Sequence, residues 1–361
     1  MACPSNPREH LMVAKPKQMK LKRVATVEYE RQLWQARYSP CGEYLIGCGY
    51  DASLQRWKLD KAKLTQRKAF TGHHGWLQCM GFHPKSGQVF TADSWGKLAA
   101  WKYNDESGKP QWQHEAAHDG WIRALSVSPD GQWVVTAGND RVVRVWETRS
   151  GGKKLEWKDA HPDRIFSLAF HPNGKVLFTG DLRGVIRQCE FPSGKLIRKL
   201  DAGKLYKLHR IQECGGARTM SLSKKGDRLV CAGQQDCKGG FAGGTPAAIV
   251  FDTASGKQLN QIKVGGNADG FVYDAQFHPD GYVMATASAF PGKGHLWFWN
   301  PNEKKPFFED RKLTNGRSIS VHPKSGQLAM LAANSPNANG RRLKNGKYQG
   351  GSSKIYLLSS A

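Results

Sequence analysis

Apolar and polar positions alternate along this chain in short runs, and the runs recur as a sentence. At 118–147 it reads HDGWIRALSVSPDGQWVVTAGNDRVVRVWE, at 73–103 HHGWLQCMGFHPKSGQVFTADSWGKLAAWKY, and at 161–191 HPDRIFSLAFHPNGKVLFTGDLRGVIRQCEF. Period-two alternation predicts strands, because successive side chains on an extended backbone face opposite ways. Each copy has the same grammar. An apolar run ends at Phe-His-Pro, Val-Ser-Pro or Tyr-Ser-Pro, and a tight turn such as Pro-Asp-Gly or Pro-Lys-Ser-Gly follows. Pro fixes φ and Gly supplies positive φ, so the chain reverses there into a hairpin. A second β-branched strand (132–137 in one copy) and a third ending in an aromatic residue (142–146) complete the unit. A repeat of about 45 residues sets the architecture before any single residue is weighed.

Seven such units can be counted. Their third strands end near Trp57, Trp101, Trp146, Cys189, Phe251, Trp299 and Tyr356. A fourth, more polar strand lies between units, at 64–70, 110–115, 154–159, 195–200, 257–264 and 306–312. That leaves six fourth strands for seven units. The seventh is expected from the N-terminus, where RVATVEY at 23–29 alternates as a strand should. The N-terminal strand would then pair with the last unit and close the array, removing the exposed edges of an open one.

With Phe-His-Pro, Ser-Pro-Asp-Gly and the closing Trp on the page, the chain resembles the WD-repeat β-propeller family over roughly residues 22–360. The resemblance implies an all-β fold, a seven-bladed propeller of four-stranded antiparallel blades. It departs from the pattern at Cys189, where Trp is usual, and at Ser223-Lys224, where the first turn lacks Pro. It also implies a structural tetrad in the third blade, His118, Thr136, Asp140 and Trp146. In that tetrad His bonds Asp, and Asp bonds Thr and onward to the indole. Read alone, His, Asp and a hydroxyl suggest a hydrolase triad. The pair Asp51 and Trp57 repeats the Asp-to-Trp spacing, and a triad has no reason to recur.

Composition adds less than pattern, with one exception. Twelve Trp and forty Gly suit short strands and tight turns. No apolar run approaches the ~18–20 residues of a membrane span. The sequence MACPSNPREHLMVAKPKQMKLKR lacks the apolar stretch of a secretory leader, so a cytoplasmic location is expected. Residues 1–21 read as a basic disordered tail and 22–361 as one propeller domain. Eight cysteines, none spaced C-x-x-C, predict free thiols, and no cofactor or metal is expected. His83, His171, His278 and His322 recur at one turn position and read as turn residues rather than ligands. GGFAGGTP at 239–246 lacks the Lys and the following helix of a phosphate loop. The exception is charge. Fifty-four Lys and Arg against thirty Asp and Glu give +24. A surface that basic attracts acidic partners by long-range steering and polyanions by counterion release.

Meander parity puts two loops of every unit on one face, here the upper face. These are the loop before the first strand and the loop joining strands two and three. The elaborated loops all fall there: GQQDCKGGFAGGTP, ASAFPGKG, the long segment carrying Arg341 and Arg342, and the connection at 201–217. Long loops on a rigid scaffold are where binding concentrates. The starts of the first strands add a ring at the channel mouth. Its members include Trp34, Trp76, Trp121, Arg123, Arg164, Phe166, Arg218, Phe271, Tyr273 and Arg317. Aromatics and Arg are the types enriched at binding hot spots. The sequence therefore predicts a non-enzymatic scaffold, a monomer or one subunit of a larger complex. It would bind an acidic protein partner through this face and no membrane. RNA or DNA binding through the same face is the alternative.

Overall fold

The computed structural model describes residues 19–61, 63–237, 243–289, 293–333, 341–342, 348–349 and 351–360. Local turn chemistry builds the blades. In the third blade Ser128 Oγ accepts from the Trp133 N–H at 2.9 Å, and Gly131 donates to the Ser128 carbonyl at 2.9 Å with φ of 78°. Where the motif is His-Pro, the imidazole caps the turn at other amides, two and three residues on. His83 Nδ1 accepts from the N–H groups of Lys85 and Ser86 at 3.0 and 2.9 Å. His322 does the same for Lys324 and Ser325. Ser and His at this position of the repeat thus each accept from backbone N–H groups of the turn, though from different ones.

Seven four-stranded antiparallel sheets result. Blade 3, for example, runs Ile122–Val127, Trp133–Gly138, Val143–Glu147 and Lys153–Trp157. Blade 7 is composite. Leu21–Tyr29 pairs antiparallel with Ser353–Ser360, from Leu21 opposite Ser360 to Tyr29 opposite Ser353. The closing strand thus begins two residues before the Arg23 expected from alternation. Met19 and Leu21 pack against the blade 6–7 core, inside the stretch read as tail. The core itself is divided into seven apolar clusters, one at each blade-to-blade interface. The interface that closes the ring sets Leu33, Leu45 and Trp57 against Leu331, Ile355 and Leu357. Three hydroxyls fasten it: Ser353, Ser318 and Ser320 accept from the N–H groups of Leu33, Ala36 and Tyr38 at 2.9–3.0 Å.

The 201–217 connection carries its own structure. A short 3-10 turn, Gly203–Leu205, leads into a hairpin of Tyr206–His209 and Gln212–Gly215. No helix among the described residues is long and apolar enough to cross a membrane. Residues 1–18 and 238–242, with half of the Gly-rich loop, lie outside the described residues.

Candidate functional site: the upper mouth of the channel

The mouth is built by a repeated irregularity. In six blades the inner strand slips register by one residue at its start: between Leu33 and Gln35, Leu77 and Cys79, Ile122 and Ala124, Ile165 and Ser167, Val272 and Asp274, and Gly316 and Ser318. The residues skipped are Trp34, Gln78, Arg123, Phe166, Tyr273 and Arg317. In blade 5 Arg218 stands just ahead of its strand, Thr219–Leu222. A bulge leaves one residue outside the ladder and re-aims its side chain. The extra backbone needs room. At Gly138 a Cβ would lie 2.0 Å from the carbonyl oxygen of Trp121, so only glycine fits opposite that bulge.

Five of the re-aimed side chains, all but Gln78, meet in an unbroken circle with Tyr50, Trp76, Trp121, Arg218 and Phe271. Trp34 packs on Tyr50 with centroids 5.6 Å apart, Tyr50 on Trp76 at 4.9 Å, and Trp76 edge-on to Trp121 at 5.9 Å. The Arg123 guanidinium lies over Trp121 at 3.6 Å and near Phe166 at 5.0 Å. Arg218 bridges Phe166 and Phe271 at 4.5 and 5.5 Å. Phe271 stacks on Tyr273 at 4.2 Å. Arg317 then lies over Tyr273 at 4.0 Å and reaches Trp34 at 5.4 Å. The circle surrounds an opening of about 400 Å³. Tyr50 is the member that sequence reasoning missed. It follows the second strand of blade 1, at the position where blade 3 has Asn139, and that alignment was the available signal.

The three arginines of the circle differ from others nearby. Arg37, one level deeper, pairs with Asp274. Arg164 turns away from the opening toward Asp163 and Glu213, at 3.3 and 2.8 Å, and Arg183 joins the same acids. Among the described residues, no carboxylate lies within ion-pair distance of Arg123, Arg218 or Arg317. Arg123 Nε donates to Asn139 Oδ1 at 2.9 Å, and Arg218 Nε to the Gly215 carbonyl at 2.7 Å. Arg317 Nη1 is buried with no acceptor, as is Trp121 Nε1. Burial, with Arg218 and Arg164 nearby, pulls the Arg123 guanidinium down to about 10. Burial lowers Arg218 too. Half-desolvated cations without counter-ions are costly unless something anionic arrives. The backbones of Arg341 and Arg342 pair with Gln349 and Tyr348; their side chains, with Lys344 and Lys347, lie outside the described residues.

The His118 constellation is elsewhere, between blade surfaces. Trp146 Nε1 donates to Thr136 Oγ1 at 2.8 Å, Thr136 meets His118 Nε2 at 2.8 Å, and His118 Nδ1 meets Asp140 at 3.0 Å. Histidine, not aspartate, is the middle link, which corrects the order expected. Arg144 Nη1 also reaches Asp140 at 2.6 Å. His118 and Thr136 are buried, so the hydroxyl is spent inside the fold. Blade 2 repeats the chain through His73, Asp93, Thr91 and Trp101. Blade 4 repeats it through His161, Asp181 and Thr179, with Cys189 where the indole would be. Asp51 does not join such a chain. It accepts from Tyr29, Ser53 and Gln55 instead. Blade 1 has Gly47 at the threonine position. Among the described residues, no group of three or more His, Cys, Asp or Glu could hold a metal ion.

Comparison with known families adds one match. A family described as WD domain, G-beta repeat, matches residues 109–147 and 153–188. Each stretch runs from the outer strand of one blade through the inner three of the next. No curated protein matches the chain.

Proposed function

The chain is a WD-repeat seven-bladed β-propeller, and from that premise we propose that it is a non-enzymatic scaffold that binds a macromolecular partner at its upper face. Propellers of this family commonly serve as protein-interaction platforms. The observation that carries the reading is the closed circle of aromatic and arginine side chains, with three guanidiniums that meet no acid among the described residues. Such a ring costs stability unless it is used, and it matches the residue types of hot spots. The partner is a protein with an acidic surface or segment, attracted by the +24 charge.

The +24 charge also favours a second reading, RNA or DNA bound by the same face. Salt separates the two. Nucleic-acid affinity falls log-linearly with salt, by about 0.9 per phosphate contact for duplex or 0.7 for single strands. The test of the main reading is affinity capture from native extract with the whole chain and with an Arg123→Gln, Arg218→Gln, Arg317→Gln variant of unchanged melting temperature. One defined partner should be recovered by the first and lost by the second. Equal recovery would remove the mouth from the function.

A further inference from the structure

We propose that the mouth takes an extended acidic peptide segment, its carboxylates on Arg123, Arg218 and Arg317 and a neighbouring apolar side chain laid over Trp76 and Trp95. This rests on the reading of the upper face as a partner surface and specifies what enters it.

The circle is not uniform. Blades 3, 5 and 7 each supply one arginine, and the arc through blades 1 and 2 is aromatic only, from Trp34 through Tyr50 to Trp76. On the cationic arc the ε nitrogens of Arg123 and Arg218 are already spent on protein acceptors. What remains toward the opening is the terminal fork, the end that matches a carboxylate with two parallel hydrogen bonds. The molecule neutralises its other arginines close by. Asp274 holds Arg37 beneath the ring, and Asp163 and Glu213 hold Arg164 and Arg183 beside it. Leaving all three without an acid among the described residues, the forks of Arg123 and Arg218 on the opening and Arg317 beside it, marks where an acid from outside belongs. Asp274, paired with Arg37, also lines the opening.

On the cationic arc the same geometry argues against stacked bases. A base needs an open aromatic face. The guanidinium planes occupy those of Trp121, Phe166 and Tyr273. Open indole surface survives beside the ring on blade 2, where Trp76 is 47% and Trp95 69% exposed. The two adjoin: the Trp76 N–H donates to Ser94, the residue before Trp95. That patch suits an aromatic or aliphatic side chain next to the acids.

The test is fluorescence anisotropy with the full chain and short labelled peptides. The probe carries a run of Asp and Glu adjoining Phe and Leu. One control replaces the acids by Asn and Gln, another replaces Phe and Leu by Ala, and a single-stranded oligonucleotide of equal charge is the third. Charged hydrogen bonds of this kind predict at least about a tenfold loss for the amide peptide on the unaltered protein, a comparison that needs no variant to fold. Arg123→Gln with Arg317→Gln should lower affinity for the acidic probe about tenfold and leave the amide peptide unchanged. Trp76→Ala should cost about three- to tenfold, and only for probes that carry Phe and Leu. Equal binding of acidic and amide peptides overturns the proposal, as does tighter binding of the oligonucleotide. If the peptides fail while capture of a protein partner still depends on the three arginines, the scaffold reading stands and this proposal falls. If both are insensitive, both fall.

Discussion

One substitution made in two blades should have opposite effects. Thr91 is fully buried, and its Oγ1 joins Trp101 Nε1 at 2.8 Å to His73 Nε2 at 2.8 Å. The indole can only donate and the Asp93 carboxylate only accept, so the hydroxyl takes the indole proton and gives its own to the imidazole. Thr91→Val keeps the shape and strands two buried polar atoms. At about 1–3 kcal/mol for each orphaned group, less about 1 kcal/mol for the added methyl, the cost is about 1–5 kcal/mol. Thr286 in blade 6 is equally buried, but its Oγ1 has no hydrogen-bond partner among the described residues. Thr286→Val therefore removes an unpaid desolvation and should be neutral or stabilising by about 1 kcal/mol. Equilibrium urea unfolding reads both: the midpoint should fall for the first and hold or rise for the second, at unchanged slope. Equal losses for the two variants would refute the argument, because both remove the same atoms and only their bonding differs.

Other outcomes follow from the same contacts. Deleting residues 1–30 bares Ile355 and Leu357 and opens the edge of Ser353–Ser360; the melting temperature should drop by about 10 °C or more, and an unchanged melt would break the closure. Arg56 is wholly buried and donates to the carbonyls of Lys68, Tyr103 and Asp105, joining blades 1 and 2. Arg56→Lys should cost about 2–4 kcal/mol by chemical denaturation. Arg56 Nη2 also pairs with the exposed Glu106 at 3.2 Å, and Glu106→Gln should cost under about 1 kcal/mol. Acid should destabilise in two stages. Burial lowers His118 and His161 below 6.5 against the pull of Asp140 and Asp181, so the unfolded chain binds those protons first and stability falls as pH drops below 6.5. Burial pushes Asp93 up, but hydrogen bonds from His73 and from the N–H groups of Lys97 and Trp95 outweigh it and hold it at about 2. Its contribution is complete above the ordinary 3.8 and disappears as pH falls toward 2. A urea midpoint that rises between pH 7 and pH 5 contradicts the first stage.

The blades were legible because hairpin turns and strand alternation are local. Ser-Pro-Asp-Gly fixes a reversal wherever it stands, and counting outer strands was enough to require the one at Leu21–Tyr29. The tetrads were only partly legible. His118 was found, whereas His73 and His161 were not, because their aspartates follow 20 residues later and not 22. The invariant is the interval of 18 from histidine to threonine, set by strand register, while the turn that carries the acid varies. Asp51 matched the Asp-to-Trp interval but lacks the threonine on which the chain depends. At the mouth, counting positions back from each turn found Trp34, Arg123, Phe166, Tyr273 and Arg317. It could not tell Arg218 from Arg164, since the acid that claims Arg164 is Glu213 on a hairpin whose two short strands leave no periodic trace.

The register slips at the inner strands have a consequence for how such a molecule can change. Trp34, Arg123, Phe166, Tyr273 and Arg317 each stand outside the ladder that flanks them. No cross-strand neighbour dictates their identity. The hoop behaves like a rack of sockets, whose inserts can be exchanged one at a time without restringing the frame. Selection, or a designer, can rewrite the mouth's vocabulary while the propeller's folding instructions stay as they were.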